Sequence, residues 1–390
     1  MIQWPYQNDG AFFMNDNLDL RTIKLLRIAN DLLDKYGYPA LKDAYRDVRL
    51  LLLDKDLPKN QRALARLEKE IQTTVQLSVE RHFAKLHDSL IEVSTLEAAF
   101  AAGLMREAVK SDKLKLPIKT PAKKKVAEYV ERSVMFLPGA NKTKEMFTYE
   151  KWVNSFASGI AKTAHNLVAD EWRKQNSGQS VSINNVINQL RQAVNEPLRV
   201  KAETLVRTAT NHFGNQGQQA FRDDNLDVID REIPVVTFDS RVSPTCISIS
   251  ANYGQTGWPV GKSPVGYPPY HPNCRTRIGF LLKGQKELYG TRQSVSGKKG
   301  KEAEESFNRR KDRADGGVVK NSGRKDRAFK GEEIKAATPI SKFLMDQPRW
   351  YVEDVLGKTR AEAFLSGKLD LRKLTDASLR PLSVEKLGIN

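Results

Sequence analysis

Both cysteines of the chain and one of its five histidines lie in residues 238–277, a stretch whose residue types are able to bind a metal. Cys246 is followed, after a loop rich in Gly and Pro, by His271 and Cys274. Zinc in proteins takes four tetrahedral ligands, commonly thiolate sulfur and imidazole nitrogen. Asp239 is the candidate for a fourth, oxygen ligand. The spacing leaves three arrangements open: a structural metal site, a disulfide between the two cysteines, and packed free thiols.

The remaining histidines do not have the spacing of a catalytic group. His165 and His212 lie inside amphipathic helical segments, where a lone histidine usually packs, and no Ser/His/Asp or paired-carboxylate pattern stands out. We therefore predict that the protein is not an enzyme and has no catalytic residue. The alternative is a metal-dependent DNA-processing enzyme, such as a nuclease, in which Asp239 and His271 activate water. That alternative requires an open coordination position on the metal.

The chain is strongly basic, with 64 Lys and Arg against 47 Asp and Glu and a net charge of +17 at pH 7. Such a balance favours polyanions such as nucleic acid, or acidic protein surfaces, as partners. Residues 283–330 concentrate this charge and have few large apolar residues, so we predict a flexible basic segment. The candidate DNA contacts in it are Lys298, Lys299, Lys301, Arg309, Arg310, Lys311, Arg313, Arg324, Lys325 and Arg327.

Cysteine content and apolar runs indicate where the chain is made. Two cysteines in 390 residues are too few for a disulfide scaffold, which indicates synthesis in a reducing cytosol. The first residues lack the basic and apolar regions of a signal peptide. The longest apolar runs are shorter than the about 20 residues that cross a bilayer, so we expect no membrane partner.

Apolar residues recur at helical spacing through most of the first half of the chain. Prolines predict breaks at residues 36–39 and at Leu57-Pro58. After a Lys- and Pro-rich connector over 110–125, further helices are predicted over 126–136, 149–175, 183–194 and from Pro197 onward. Short β-rich runs at 232–238 and 277–282 are predicted to pair as two strands that flank the Cys/His loop.

These elements predict an α+β fold that is predominantly helical, with a small β-containing central module around the Cys/His loop. The predicted organisation has four parts. They are an N-terminal helical region over 1–125, a helical segment plus α+β core over 126–282, the flexible basic segment over 283–335, and a C-terminal helical tail over 336–390.

Two blocks of motifs carry a family resemblance. The first has Ala202-Glu203-Thr204-Leu205-Val206-Arg207-Thr208, then Asp239-Ser240-Arg241, Cys246 and His271-Pro272-Asn273-Cys274-Arg275. The second, beyond the basic segment, has Phe343-Leu344-Met345-Asp346-Gln347-Pro348, Leu356-Gly357-Lys358-Thr359-Arg360 and Gly367-Lys368-Leu369. In this order they resemble the phage Mu F-like head morphogenesis, or minor head protein, family, over residues 180–282 and 338–387. Val242, Ser243 and Thr276 stand near positions where family members often have further cysteines.

The resemblance implies a minor structural component of a tailed-phage head, made in the host cytoplasm and located in the virion near the portal vertex. Its implied partner is the phage portal protein, with the major capsid or scaffolding protein and packaged DNA as further candidates. Asp239 and Arg241 would orient the loop that contains Asn273 and Arg275, and Cys246, His271 and Cys274 would pin it. The possible cofactor is a structural zinc. A virion-carried effector is a further alternative.

Overall fold

The computed structural model describes residues 18–138, 144–297 and 329–389. It confirms an α+β fold in which helices predominate. Across these ranges, three small antiparallel sheets accompany the helices. None of the helices in these ranges is long and apolar enough to cross a membrane.

The first described residues form a nearly continuous helix. Helix α1 (Leu18–Leu32) passes through one π-helical turn (Leu33–Gly37) into α2 (Tyr38–Leu53). The predicted break at residues 36–39 is therefore wrong: the chain stays helical, and its hydrogen-bonding pattern changes to a π-helical turn directly before Pro39, which has no backbone N–H to donate. The break at Pro58 is confirmed: α3 (Gln61–Ser111) starts beyond it.

Four helices and a short hairpin follow. After α4 (Lys123–Glu131), strands β1 (Met135–Pro138) and β2 (Lys144–Phe147) pair with Met135 opposite Phe147. The predicted helix over 126–136 thus ends earlier, and its last residues join this ladder. The predictions for α5 (Tyr149–Asn176), α6 (Ile183–Asn195) and α7 (Pro197–Asp224) are confirmed.

The helical apolar stripe of the N-terminal half lies in one core, as its spacing predicts. This core joins α1 to α3 with α5 to α7, and burial of its side chains is the main stabilising contribution. Its members include Leu25, Ile28, Leu32, Tyr36, Leu64, Leu67, Ile71, Val75, Val79, Phe83, Leu86, Leu90 and Val93.

The central sheet has β3 (Ile229–Val235) between β4 (Trp258–Pro259) and β5 (Arg277–Leu282), all antiparallel. The predicted pairing of the two β-rich runs is confirmed by the β3–β5 ladder. Helix α8 (Pro244–Tyr253) lies between β3 and β4 in sequence. The ends of α3 and α7 pack with this sheet in a second core, so the predicted boundary at residue 125 does not separate two cores.

The predicted flexible segment over 283–335 is corrected at its ends. Strands β6 (Thr291–Gly297) and β7 (Phe329–Lys335) form an antiparallel pair. Strand β6 is also fastened to other parts of the chain: the Val295 amide donates to the Phe238 carbonyl over 2.8 Å, and the Gly297 amide donates to Gln347 Oε1 over 2.8 Å. These backbone bonds supply order that composition does not reveal. All ten candidate DNA contacts, from Lys298 to Arg327, lie outside the described residues.

The C-terminal part consists of α9 (Ile340–Met345), α10 (Arg349–Leu356), α11 (Lys358–Leu365) and two 3-10 turns (Leu371–Lys373 and Glu385–Leu387). These elements share a third core with α8 and both cysteines. The predicted tail is therefore not a separate unit, because its apolar residues cover the Cys/His loop.

Candidate metal centre

The first ligand of the centre is positioned by the start of α8. Pro244 is in the first turn of this helix, and the Ser243 side chain caps it by accepting a hydrogen bond from the Cys246 amide over 3.1 Å. A Ser-Pro start is a strong helix N-terminus signal. Cys246 is therefore held in the first turn of α8, where it is 3% exposed.

A tight turn holds the other two ligands. The Cys274 amide donates to the His271 carbonyl over 3.1 Å, and Asn273 has a φ of 57°, in the left-handed region that Asn tolerates better than most residues. The Asn273 amide donates to Thr208 Oγ1 over 2.8 Å, and its side chain donates to Thr204 Oγ1 over 3.3 Å. Helix α7 thus fastens the turn through two threonines of the motif that the sequence singled out.

The three ligand atoms have the separations of a tetrahedral metal site. The Sγ atoms of Cys246 and Cys274 are 3.9 Å apart, and Cys246 Sγ is 3.1 Å from His271 Nε2. All three ligand atoms lie within 4.8 Å of one another. Two sulfurs bound to one zinc at about 2.3 Å stand about 3.8 Å apart at a tetrahedral angle. The Cys-His-Cys group could therefore hold a metal ion with little rearrangement.

Hydrogen bonds orient the histidine for this task. His271 Nδ1 lies 2.8 Å from the Pro272 carbonyl oxygen, which can only accept, so Nδ1 carries the proton in the neutral ring. The lone pair is then on Nε2, which lies 2.8 Å from Ser243 Oγ and faces Cys246. Thr276 Oγ1 donates to Cys246 Sγ over 3.1 Å. Such outer contacts fix the tautomer and the direction of a metal ligand.

The electrostatics of the group favour one thiolate. Burial alone would raise the pKa of Cys274, but its contacts with Cys246 and His271 outweigh burial and hold that pKa well below its ordinary value. The hydrogen bond to Cys274 and burial raise the pKa of the Cys246 thiol. Burial would lower the pKa of His271, yet its contact with Cys274 raises it. Metal ligands must be deprotonated, and Cys274 is already disposed to be.

Two of the three ligand residues, Cys246 and His271, border a small cavity of about 20 Å³, which is large enough for one water molecule. Thr237, Cys246 and His271 line it. Thr237 Oγ1 is buried and has no hydrogen-bond partner among the described residues. A buried hydroxyl without a partner is costly, so a small polar species in this cavity would satisfy it.

Asp239 does not provide the fourth ligand, contrary to the prediction. Its carboxylate accepts from both terminal nitrogens of Arg275, one of them over 2.8 Å, and from the Arg241 amide over 2.9 Å. A bidentate pair of this kind is a strong use of a carboxylate. The Asp239 carboxylate thereby holds Arg275 of the loop, and it contacts Arg241 through the backbone amide.

The structure decides between some of the remaining alternatives. Both cysteines carry free thiols, so the disulfide is not formed, whereas packed thiols and a metal site both fit the burial. His165 is 3.8 Å from Glu68, and His212 is 3% exposed next to Ser133. Neither of these histidines belongs to the centre.

Sequence reasoning missed Ser243, Thr237 and the buried Glu97. The Ser-Pro dipeptide before Cys246 was a usable signal for the cap. Glu97 follows Val93 by four residues on the apolar stripe of α3, and this spacing places it on the buried face. Thr237 had no signal, since only the folded chain places it beside the cavity.

The fold and the centre define a mostly helical α+β protein with a buried Cys-His-Cys group. Comparison with models of protein families, with curated proteins and with solved structures found no significant match to the chain.

Proposed function

We propose that this protein is a minor structural component of a tailed-phage head. In this proposal it is made in the host cytoplasm, binds the portal protein during head assembly, and remains in the virion near the portal vertex. The major capsid or scaffolding protein and packaged DNA are further partners in the same role. The Cys/His loop performs no catalysis and serves as a folding and docking element.

One observation carries the proposal: of the two sequence blocks that resemble minor head proteins, the Cys/His part of the first shares one core with the second. On α8, Thr245 Oγ1 donates to the Leu379 carbonyl and Ser248 Oγ to the Arg372 carbonyl, each over 3.0 Å. The rings of Phe238 and Phe343 stack with centroids 4.9 Å apart. Two chance matches would have no reason to share a core, whereas two halves of one module would.

We further propose that the ion of the centre is a structural zinc. Two thiolates and one imidazole are ligands that zinc prefers, and the small cavity leaves room for a water as the fourth ligand. The zinc would tie α8 to the turn that precedes β5. It would thereby stabilise a loop whose own apolar content is small.

Metal analysis of the purified chain tests the zinc. We expect about one zinc per chain by mass spectrometry, and its loss in the His271→Ala variant but not in His165→Gln. In Thr276→Val, which removes the hydroxyl that donates to Cys246 Sγ, we expect zinc affinity to fall by about tenfold, as for other outer contacts of metal ligands. Equal zinc content in the wild type and His271→Ala would exclude this centre as the zinc site.

Co-purification with the portal protein of the same phage genome tests the assembly role. The two proteins are mixed and separated by size exclusion at low and high salt, with nuclease present throughout. We expect a complex that survives both salt and nuclease, because the docking proposed here does not depend on DNA. Binding to DNA without any portal complex would contradict the proposal and favour a nucleic-acid-processing role.

A further inference from the structure

A second concave surface, which we call the arginine cleft, lies beside the metal centre. It has a volume of about 310 Å³. Arg207 of α7 and Arg241 and Arg275 of the Cys/His region line it, and Leu25, Leu26 and Ala29 of α1 form an apolar wall. No carboxylate among the described residues lines the cleft. The surface thus combines three guanidinium groups with an aliphatic side.

The three arginines differ in whether an acidic side chain pairs with them. Arg275 donates from both terminal nitrogens to Asp239. Arg207 lies 3.3 Å from a Glu203 carboxylate oxygen and donates to Asn30 Oδ1 over 3.3 Å. Arg241 is exposed, and its guanidinium makes no hydrogen bond or ion pair within the described ranges. One cation in the cleft is therefore available to an incoming anion.

The lining also indicates what carries that anion. A guanidinium is a planar fork that binds a carboxylate or phosphate through two parallel hydrogen bonds. Of the residues that the structure describes, no aromatic side chain lines the cleft, so these residues offer no platform on which a nucleobase would stack. The wall from Leu25 to Ala29 instead suits an aliphatic side chain. The volume accommodates about two side chains of moderate size.

We propose that the arginine cleft binds a peptide segment of a partner protein in which Asp or Glu stands next to Leu, Ile or Val. The carboxylate pairs with Arg241, and the aliphatic side chain packs on Leu25 and Leu26. This inference rests on the proposed assembly role for the identity of the partner, and it names the chemistry by which that partner is recognised.

The test uses the purified full-length chain and an immobilised library of acetylated hexapeptides that includes phosphoserine. We expect selection of peptides with an acidic residue beside an aliphatic one. A selected peptide should bind Arg241→Gln at least tenfold more weakly. Leu26→Glu, which places a carboxylate of the chain's own in the cleft, should also abolish binding. Arg27→Gln is the matched control, since Arg27 is exposed on α1 but does not line the cleft.

Other results would overturn the inference. Selection without an acidic preference, or equal binding by Arg241→Gln and Arg27→Gln, excludes the cleft as a carboxylate site. Selection of phosphoserine over Asp and Glu would assign it to phosphate instead. Melting temperatures of the variants separate loss of binding from loss of folding. The peptide library contains no portal protein. If no acidic peptide is selected from it, the cleft proposal fails, whereas the assembly role is still tested separately by the co-purification.

Discussion

The backbone amide of Asn273 donates to Thr208 Oγ1 over 2.8 Å, which ties the turn of the metal centre to helix α7. Thr208 is fully buried, and its hydroxyl in turn donates to the Thr204 carbonyl over 2.6 Å. One hydroxyl thus satisfies a backbone donor of the turn and connects two motifs that are far apart in the sequence.

Thr208→Val is expected to lower the free energy of unfolding by about 0.5–1.5 kcal/mol, because it removes the hydroxyl that accepts from the Asn273 amide. Thr210→Val is the matched control: Thr210 is equally buried, but its hydroxyl donates only to the Val206 carbonyl of its own helix. Urea unfolding measures both. Equal losses in the two variants would mean that the bond to Asn273 contributes nothing.

Gly217→Ala is expected to destabilise the fold by about 1–3 kcal/mol through overpacking. A Cβ at this position would overlap the carbonyl oxygen of Ser94, so the glycine allows α7 and α3 to approach closely. Gly159→Ala on α5 meets only the flexible end of Lys201 at 3.9 Å, and helix propensity predicts that it stabilises by about 0.5–1 kcal/mol. The melting temperature should fall in Gly217→Ala and rise in Gly159→Ala. A shift in the same direction for both variants would contradict the close approach of α7 to α3.

Glu97→Gln is expected to cost about 3–5 kcal/mol. Glu97 is fully buried and pairs with Arg21 and Arg277, so its neutralisation would remove the carboxylate that faces two buried guanidinium groups. On the same helix, Glu107 pairs with Lys110 at the surface, and Glu107→Gln should cost under about 0.5 kcal/mol. The denaturant concentrations at the unfolding midpoints of Glu97→Gln and Glu107→Gln measure this difference. A small loss at Glu97 would show that the buried pairs contribute little net stability.

Stability is expected to fall as the pH drops below neutrality because of His212. Burial lowers the pKa of this side chain from 6.5 to about 3. The unfolded chain therefore takes up a proton, between these two values, that the folded chain does not bind. The contribution of His212 to the free energy of unfolding is complete above the pKa that it has in the unfolded chain. It is lost as the pH falls toward the pKa that His212 has in the folded chain, by about 2 kcal/mol between pH 7 and pH 5.

The pH dependence of urea unfolding in wild type and His212→Gln isolates this contribution. Other histidines titrate in both proteins, so only the difference between the two profiles reports on His212. We expect a shallower profile in the variant. Superimposable profiles would contradict the assignment.

The sequence predicted the helices well where an apolar stripe was long. Residues from Leu64 to Val93 repeat at helical spacing, and all the predicted stripe residues are buried. It failed at Pro39, where it predicted a break, because a proline in a first turn and a proline that interrupts a helix look alike in sequence. It also failed at β6 and β7, because their order depends on two acceptors that are distant in the sequence, the Phe238 carbonyl and the Gln347 side chain.

For the candidate site, too, some features could be predicted from the sequence and others could not. The residue types and order of Cys246, His271 and Cys274 were enough to predict a possible metal group, because thiolates and imidazole bind metals wherever the chain brings them together. The sequence alone also determined the basic charge and the predominantly helical fold. Only the tertiary structure decided that Asp239 pairs with Arg275, that Thr237 faces the cavity, and that the C-terminal helices cover the loop. The reason is physical: residue type and local period fix chemistry and secondary structure, whereas pairings across long separations are settled by packing of the whole chain.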